Sequence, residues 1–351
     1  MTPNLEVVAH GLHTTVQDLG RVGYQNVGLP ASGPLDRISL RLANALVGNP
    51  PGTPALEMLL LGATFAVAAD SVRIALVGGD GALEIGADRP RDVPAGRSVR
   101  LVRGDVFRVR ASGDSVCAYL AIEGGPQIAP LLGSAATYVR SGIGGFHGRA
   151  LRRGDRLPLA RDAVDVRDEL ALARPVDLGL DRPIRVVLGP QRDYSTDAAV
   201  ATFLSAEYVV SNQADRMGFR LDGPPLAHAK GYNIVSDGTV VGAIQVPGSA
   251  QPIILMADNQ TTGGYPKIAT VISADIPVVA RRKPGRAIRF VAVDVENARR
   301  LRREQEAALL RDIADLRGVA PTGEIDLSAL YTENLVSGVT RAFDDSPLAA
   351  R

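Results

Sequence analysis

The chain has 351 residues, 46% hydrophobic and 22% charged, the proportions of a globular protein with room for two domains of about 150 residues or one large β domain. Its charges balance to +1 without an extended like-charge run, aromatics reach 4% and tryptophan is absent, which argues against nucleic acid as a partner. The first residues lack the order of a signal peptide and no window approaches the ~18 consecutive apolar residues of a membrane span, so a cytoplasmic protein with a small polar ligand is expected.

In chain order, the first distinctive stretch runs from Thr14-Thr15-Val16-Gln17-Asp18-Leu19-Gly20-Arg21 through Gly28 to Asp36. Asp18, Arg21 and Ser32 suit the wall of a pocket, although glycines at this density also suit ordinary turns. Asp36 is placed to cap a helix whose apolar positions Ile38, Leu42, Ala45 and Leu46 share a face, with Gly48 and Asn49-Pro50-Pro51 ending it. Short β-type runs follow, each closed by Gly, Pro, Asp or Asn: Val72–Val77, Ser98–Val102, Val116–Ile122, Ile184–Leu188, Val240–Val246, Pro252–Ala257, Ala269–Ser273 and Ala287–Val293. Strands this short, amid 37 glycines and 23 prolines, favour barrels or sandwiches over βαβ units, so the expected fold class is mainly β.

The single cysteine, Cys117, sits in one of these apolar runs and reads as a buried structural thiol. The Gly-rich stretch Gly142–Arg149 matches neither P-loop nor dinucleotide spacing, and the four histidines form no zinc pattern, so no metal site is expected. Alternating charges over Arg161–Pro183 mark a linker, which divides the chain into domains over 1–165 and 180–320 with a tail at 321–351. A surface helix is expected from Asp294, carrying Ala298, Leu301, Ala308, Leu309, Ile313 and Leu316 at helical spacing amid dense charge. In the tail, the apolar stretch Asn334–Val339 suits packing on a domain or a partner.

Two stretches carry the chemistry. From Gly242 to Ala257 the layout is strand, polar loop, strand, and the polar stretch Asp258-Asn259-Gln260-Thr261-Thr262-Gly263-Gly264-Tyr265-Pro266-Lys267 follows. Gly263 and Gly264 would allow positive φ and close backbone approach, Thr261 and Thr262 would add hydroxyl donors and Lys267 a charge, together an oxyanion or phosphate cradle. A hairpin turn satisfying its own backbone is the competing reading. In Asp215-Arg216-Met217-Gly218-Phe219-Arg220, Arg216 can grip a carboxylate or phosphate bidentately or can form a structural ion pair.

The segments TTVQDLGRVGYQNVGLPASGPLD, RLANALVGNP, LLGSAATYVRSGIGGFHGRAL, DRMGFRL and GAIQVPGSAQPIILMADNQTTGGYPKIATVISAD, in this order, resemble allophanate hydrolase subunit 2, the biotin-dependent carboxyltransferase-like family that includes the C-type subunit of bacterial 5-oxoprolinase. The resemblance spans Thr14 to Val293. It implies tandem cyclophilin-like β-barrel domains with a few short helices, and partners: 5-oxoprolinase subunits B and A, with which the C-type subunit opens the lactam of 5-oxoproline to glutamate at the expense of ATP with Mg, the nucleotide lying here or on a partner. On that reading Lys267, Thr261 and Thr262 serve the oxyanion or phosphoryl group, and Asp258 or Asp215 orients water or a proton. Arg216 holds the substrate carboxylate, Gln245 and Gln260 bond the amide, and Tyr265 walls the pocket. The alternatives implied are a carboxyltransferase or allophanate-type enzyme for another small amide or urea derivative, and a regulator antagonising a histidine-kinase inhibitor. This chain has no Met-Lys biotin attachment motif, so no covalently attached biotin is expected on it.

Overall fold

The structure, a computed structural model, describes residues 2–86, 90–110 and 112–319; the tail at 321–351, with its apolar stretch, lies outside them. The chain is mainly β, with four helices among the described residues.

The first half is two antiparallel sheets facing each other. One has six strands in the order Arg156–Pro158, Asn4–Ala9, Thr64–Ala68, Val106–Val109, Ala82–Ile85, Arg91–Pro94. The other has five, in the order His13–Gln17, Ala55–Leu59, Cys117–Ile122, Ser71–Val77, Ser98–Val102. Leu5, Phe65 and Phe107 from the first sheet meet Leu56, Ile74 and Leu120 from the second in one core. Thr64–Ala68 alternates half-buried with buried because only one of its faces is covered, whereas Ser71–Val77 is buried at every position. The reason is a helix, α1 (Arg37–Leu46), lying on the outer face of the second sheet: Val72, Ile74 and Leu76 point into the core between the sheets, and Ala75 and Val77 pack under the helix. A strand covered on both faces reads as a near-continuous apolar run.

Asp36 caps α1 as expected, accepting from the backbone N–H groups of Ile38 and Ser39, and Gly48 follows its end in the left-handed conformation. The buried face differs from the expected one: Leu40, Leu42, Ala43 and Leu46 are covered, and Ile38 and Ala45 only partly. The sheet lies under Leu40 and Ala43, two positions that a stripe drawn through Ile38 and Ala45 passes by.

The second half is an eight-stranded sheet ordered Ala287–Ile288, Tyr208–Val210, Gly218–Asp222, Ile253–Leu255, Ala243–Gln245, Lys267–Val271, Ile184–Leu188, Phe290–Ala292. Its two edge strands are separated in sequence by Arg289 alone, so the sheet nearly closes on itself; the expected single run Ala287–Val293 is thus two strands at opposite edges. Helix α2 (Asp197–Ser205), capped by Thr196, sends Phe203 into the interior, where its ring stacks on Phe290 at 4.5 Å between centroids. Helix α3 (Ile276–Arg281) begins at Asp275, whose carboxylate is held by the backbone N and the guanidinium of Arg185. Neither α2 nor α3 shows in the periodicity, since nine and six residues give too few turns to display a face.

Helix α4 (Val295–Ala314), capped by Asp294, is the expected surface helix, with Leu309 its one buried residue. It crosses back onto α1, where Leu309 joins Leu40 and Leu46 and Arg41 pairs with Glu306 at 2.7 Å. The strand after it, Arg317–Val319, pairs with Glu169–Ala171 inside the stretch joining the halves. Glu169 is buried against Arg73, which also holds Glu123 at 2.7 Å. Asp36 and Arg281 also join the halves, carboxylate to Nε at 2.6 Å.

Candidate functional site

The register of the second sheet builds the site. Ala243 faces Thr270 and Gln245 faces Lys267, with a bulge between Ile244 and Gln245 that brings both polar side chains to one end of the sheet. Gln245 is 2% exposed and Lys267 3%. A two-residue ribbon, Asp237–Gly238 paired with Thr262–Gly263, closes over these strand ends.

Lys267 Nζ donates to Asp237 Oδ2 at 2.9 Å and to the Gly238 carbonyl at 3.3 Å. Gln191 braces both partners: its Nε2 donates to Asp237 Oδ2 at 3.1 Å and its Oε1 accepts from the backbone N of Lys267 at 3.2 Å. The hydrogen bond from Lys267, with that from Gln191 second, holds the Asp237 carboxyl below its ordinary range. Asp237 is itself exposed, so the buried ammonium is balanced by a carboxylate that water or a ligand can reach.

Gln260 Nε2 donates to Gln245 Oε1 at 3.2 Å, while Gln245 Nε2 is buried with no hydrogen-bond partner among the described residues. A buried donor left unpaired costs about 1–3 kcal/mol, and an acceptor supplied by a ligand would recover it. The Cα of Gly263 lies against this amide: a Cβ added there would sit 2.3 Å from Gln245 Nε2. Close approach, rather than the expected positive φ, is what the structure asks of Gly263, since neither it nor Gly264 is among the residues with positive φ.

Asn259 fixes the loop, donating to Thr239 Oγ1 at 3.0 Å and to the Gln260 carbonyl at 2.7 Å. The backbone N of Thr239 donates to the Thr261 carbonyl at 3.0 Å. Thr261 is half-buried and Thr262 exposed, and their hydroxyls have no hydrogen bond among the described residues. Tyr265 is exposed at the rim. The arrangement offers a buried carboxamide donor, an ammonium and two hydroxyls around one loop, groups suited to an amide carbonyl or the oxyanion formed from it.

Arg216 and Asp258 are placed differently. Arg216 forks onto Asp258, Nε to Oδ2 at 2.8 Å and Nη2 to Oδ1 at 3.0 Å, and reaches the Gly33 carbonyl at 2.7 Å and Glu57. Glu57 in turn accepts from Tyr119 Oη at 2.5 Å and from the backbone N of Leu35 at 2.9 Å. Burial alone would lower the Arg216 pKa, but Glu57 and Asp258 raise it, so the guanidinium stays charged. These bonds join the halves and match the structural reading of the Arg216 motif. Asp215 is exposed, its carboxylate accepting from the backbone N–H groups of Met217 and Gly218 in a turn.

Asp18 and Arg21 brace a loop of the first half. Asp18 accepts from Ser134 Oγ at 2.6 Å and the backbone N of Ala135 at 2.6 Å, and Arg21, fully buried, donates to the carbonyls of Leu131, Ser134 and Ala136. Ser32 is buried at a positive φ of 52°, beside a crossing so tight that a Cβ on Gly33 would lie 2.9 Å from Gly20 Cα.

The residues expected to form one site therefore divide into three groups, and only Gln245, Gln260, Thr261, Thr262, Gly263, Gly264, Tyr265 and Lys267 share the cradle. Asp237 and Gln191 belong to it without having been singled out in the sequence. The Asp237-Gly238 dipeptide signals a turn, but nothing in either residue's neighbourhood announces a partner for Lys267. Among the described residues no group of three or more His, Cys, Asp or Glu could hold a metal, and no helix is long and apolar enough to cross a membrane.

The model for the carboxyltransferase domain, subdomain A and B, matches residues 27–292. The chain is 35% identical to the C-type subunit of 5-oxoprolinase from Escherichia coli over 303 residues, 86% of this chain and 95% of that one. It is 31% identical to urea amidolyase of Saccharomyces cerevisiae over 326 residues, but spans only 17% of that protein. Among solved structures, the urea carboxylase of Kluyveromyces lactis superposes with a TM-score of 0.80 at 30% identity over 89% of this chain and 29% of the enzyme. TTHA0988 superposes at 0.74 with 35% identity, over 83% of this chain and 56% of that one. The chain belongs to the carboxyltransferase domain family, subdomain A and B.

Proposed function

We propose that the chain is the C-type subunit of an ATP-dependent 5-oxoprolinase, active together with subunits of B and A type. The observation that carries this reading is coverage: the chain spans nearly all of a 5-oxoprolinase C-type subunit but under a fifth of urea amidolyase. The substrate would be 5-oxoproline, taken with ATP and two waters to glutamate, ADP and phosphate.

An amide is a poor electrophile until its oxygen is made a leaving group. Phosphorylation of the lactam oxygen does so, water then adds to the carbon, the C–N bond breaks with a proton passing to nitrogen, and a second water releases phosphate from the acyl phosphate. In this reading the free amide N–H of Gln245 donates to the lactam oxygen, aided by Gln260. Lys267 and the hydroxyls of Thr261 and Thr262 face the charge that develops there. Gly263 keeps the space open, and Arg216 with Asp258 holds the loop in place from below. ATP supplies the phosphoryl group and Mg balances its charge. We assign both to a partner subunit, since the cradle's ammonium is already balanced by Asp237 and no cluster of acidic ligands accompanies it among the described residues.

Carboxyl transfer to another small amide or urea derivative is the second reading, supported by the superposition on urea carboxylase. Biotin would then arrive on a partner. Mixing the chain with its B and A partners and measuring glutamate from 5-oxoproline, with each component omitted in turn, separates the two: glutamate should form only when all three and ATP are present. Transfer from a carboxybiotin carrier in place of that activity would establish the second reading.

A further inference from the structure

A cavity of about 960 Å³ opens between the loop ahead of α1, helices α1 and α4, and the second sheet. It lies at the opposite end of the sheet from the cradle: the strands that present Gln245 and Lys267 above present Val241, Val271 and Ile272 to the cavity below. Its walls are largely aliphatic, among them Leu35, Ile38, Met256 and Ile276, and among the described residues no aromatic one lines it. Among the described residues no acidic one lines it either, whereas Arg37, Arg41, Arg299, Arg302 and Arg303 all do.

Four of these arginines have carboxylate partners just outside the lining. Arg41 and Arg302 share Glu306, at 2.7 and 3.5 Å, and Arg299 and Arg303 share Glu296, at 4.0 and 3.5 Å. Arg37 has no ion pair or hydrogen bond among the described residues, and it stands at the first position of α1, where the helix dipole disfavours a cation. Arg37 is partly open to solvent, and its pKa is lowered by lost hydration against the cavity wall and then by Arg302 and Arg41, with Glu306 opposing them. Ser32, also in the lining, is buried with its hydroxyl unpartnered. Five cations against two carboxylates around a dry wall leave a place for a negative charge attached to an apolar body.

We propose that this cavity binds a free aliphatic carboxylate, its chain along the Val241, Met256 and Ile272 wall and its head on Arg37. The aliphatic wall, with no aromatic ring among its described residues, favours an aliphatic body over a nucleobase or aryl ring, which would find nothing there to stack on. The site is separate from the cradle, so its existence does not depend on the activity proposed above.

Decanoate is the probe, titrated calorimetrically into the full-length chain, with decanol as its neutral counterpart. Saturable one-to-one binding of decanoate is expected, weakening as salt rises. It should fall by about tenfold or more in Arg37→Ser, the loss of one charge-assisted contact. Ala298→Trp, which fills the cavity from α4 without touching Arg37, should abolish it while the melting temperature stays near that of the wild type. Equal affinity for decanol would overturn the assignment of the head group to Arg37. Absence of binding, or binding that survives Ala298→Trp, would overturn the site itself.

Discussion

Arg216 forks onto Asp258 in the second half, and the same guanidinium reaches Glu57 in the first, so one cation compensates two buried carboxylates from different halves of the chain. Removing it leaves both uncompensated, which for a buried pair costs about 3–5 kcal/mol. Lysine cannot reproduce the fork. Arg216→Ala and Arg216→Lys should both lose stability on that scale in urea unfolding. A lysine variant as stable as the wild type would show that the cluster is not what joins the halves.

Lys267 and Asp237 make a prediction about pH. A carboxyl held below its ordinary value in the folded chain stabilises it above the unfolded value of about 3.9, and the contribution is lost as pH falls through the depressed one. In a carboxyl-resolved NMR titration Asp237 should therefore titrate below its ordinary range in the wild type and return to it in Lys267→Ala. An unchanged midpoint in the variant would contradict the pairing.

Gly263→Ala tests the cradle without touching a charged group. The new methyl meets the far end of a flexible side chain, the Gln245 carboxamide, and should displace it rather than unfold the strand. Stability near that of the wild type, with KM for the amide substrate raised several-fold, is the expected result; an unchanged KM would remove Gln245 from substrate binding.

Cys117 is fully buried, and burial pushes its thiol well above the ordinary value, with Asp36 and Glu57 adding to the effect. A thiol reagent at pH 8 should leave the native chain unmodified and label it once in denaturant. Rapid labelling of the native chain would mean that the contact of α1 and α3 with the second sheet of the first half opens in solution.

How far the sequence could be read depended on what set each feature. Strands with their own punctuation, such as Ser98–Val102 and Ile184–Leu188, are legible to the residue, because local alternation and flanking turns define them. Asp36 is legible as a helix cap, but its ion pair with Arg281, 245 residues away, is not, since nothing local records a partner brought in by the fold. For the same reason the bonding of Arg216 looked the same in sequence whether it met a substrate or Glu57. Gln245 and Lys267 are legible because they stand where apolar strands meet polar loops, Gln245 at the end of one strand and Lys267 at the start of another. The bulge that sets them side by side, and Asp237 and Gln191 that hold the lysine, come from pairing across the sheet.

The most direct measurement combines the cradle with the proposed reaction. Wild-type chain and Lys267→Ala are each mixed with the B and A partners, and glutamate formed from 5-oxoproline is followed against ATP consumed, with assembly checked by size-exclusion chromatography. The wild type should give one glutamate per ATP, and the variant an assembled complex whose turnover falls by about a hundredfold or more, as for loss of a donor to a developing oxyanion. Full turnover by the variant would contradict the role given to Lys267, and no glutamate from the complete wild-type mixture would contradict the proposed reaction.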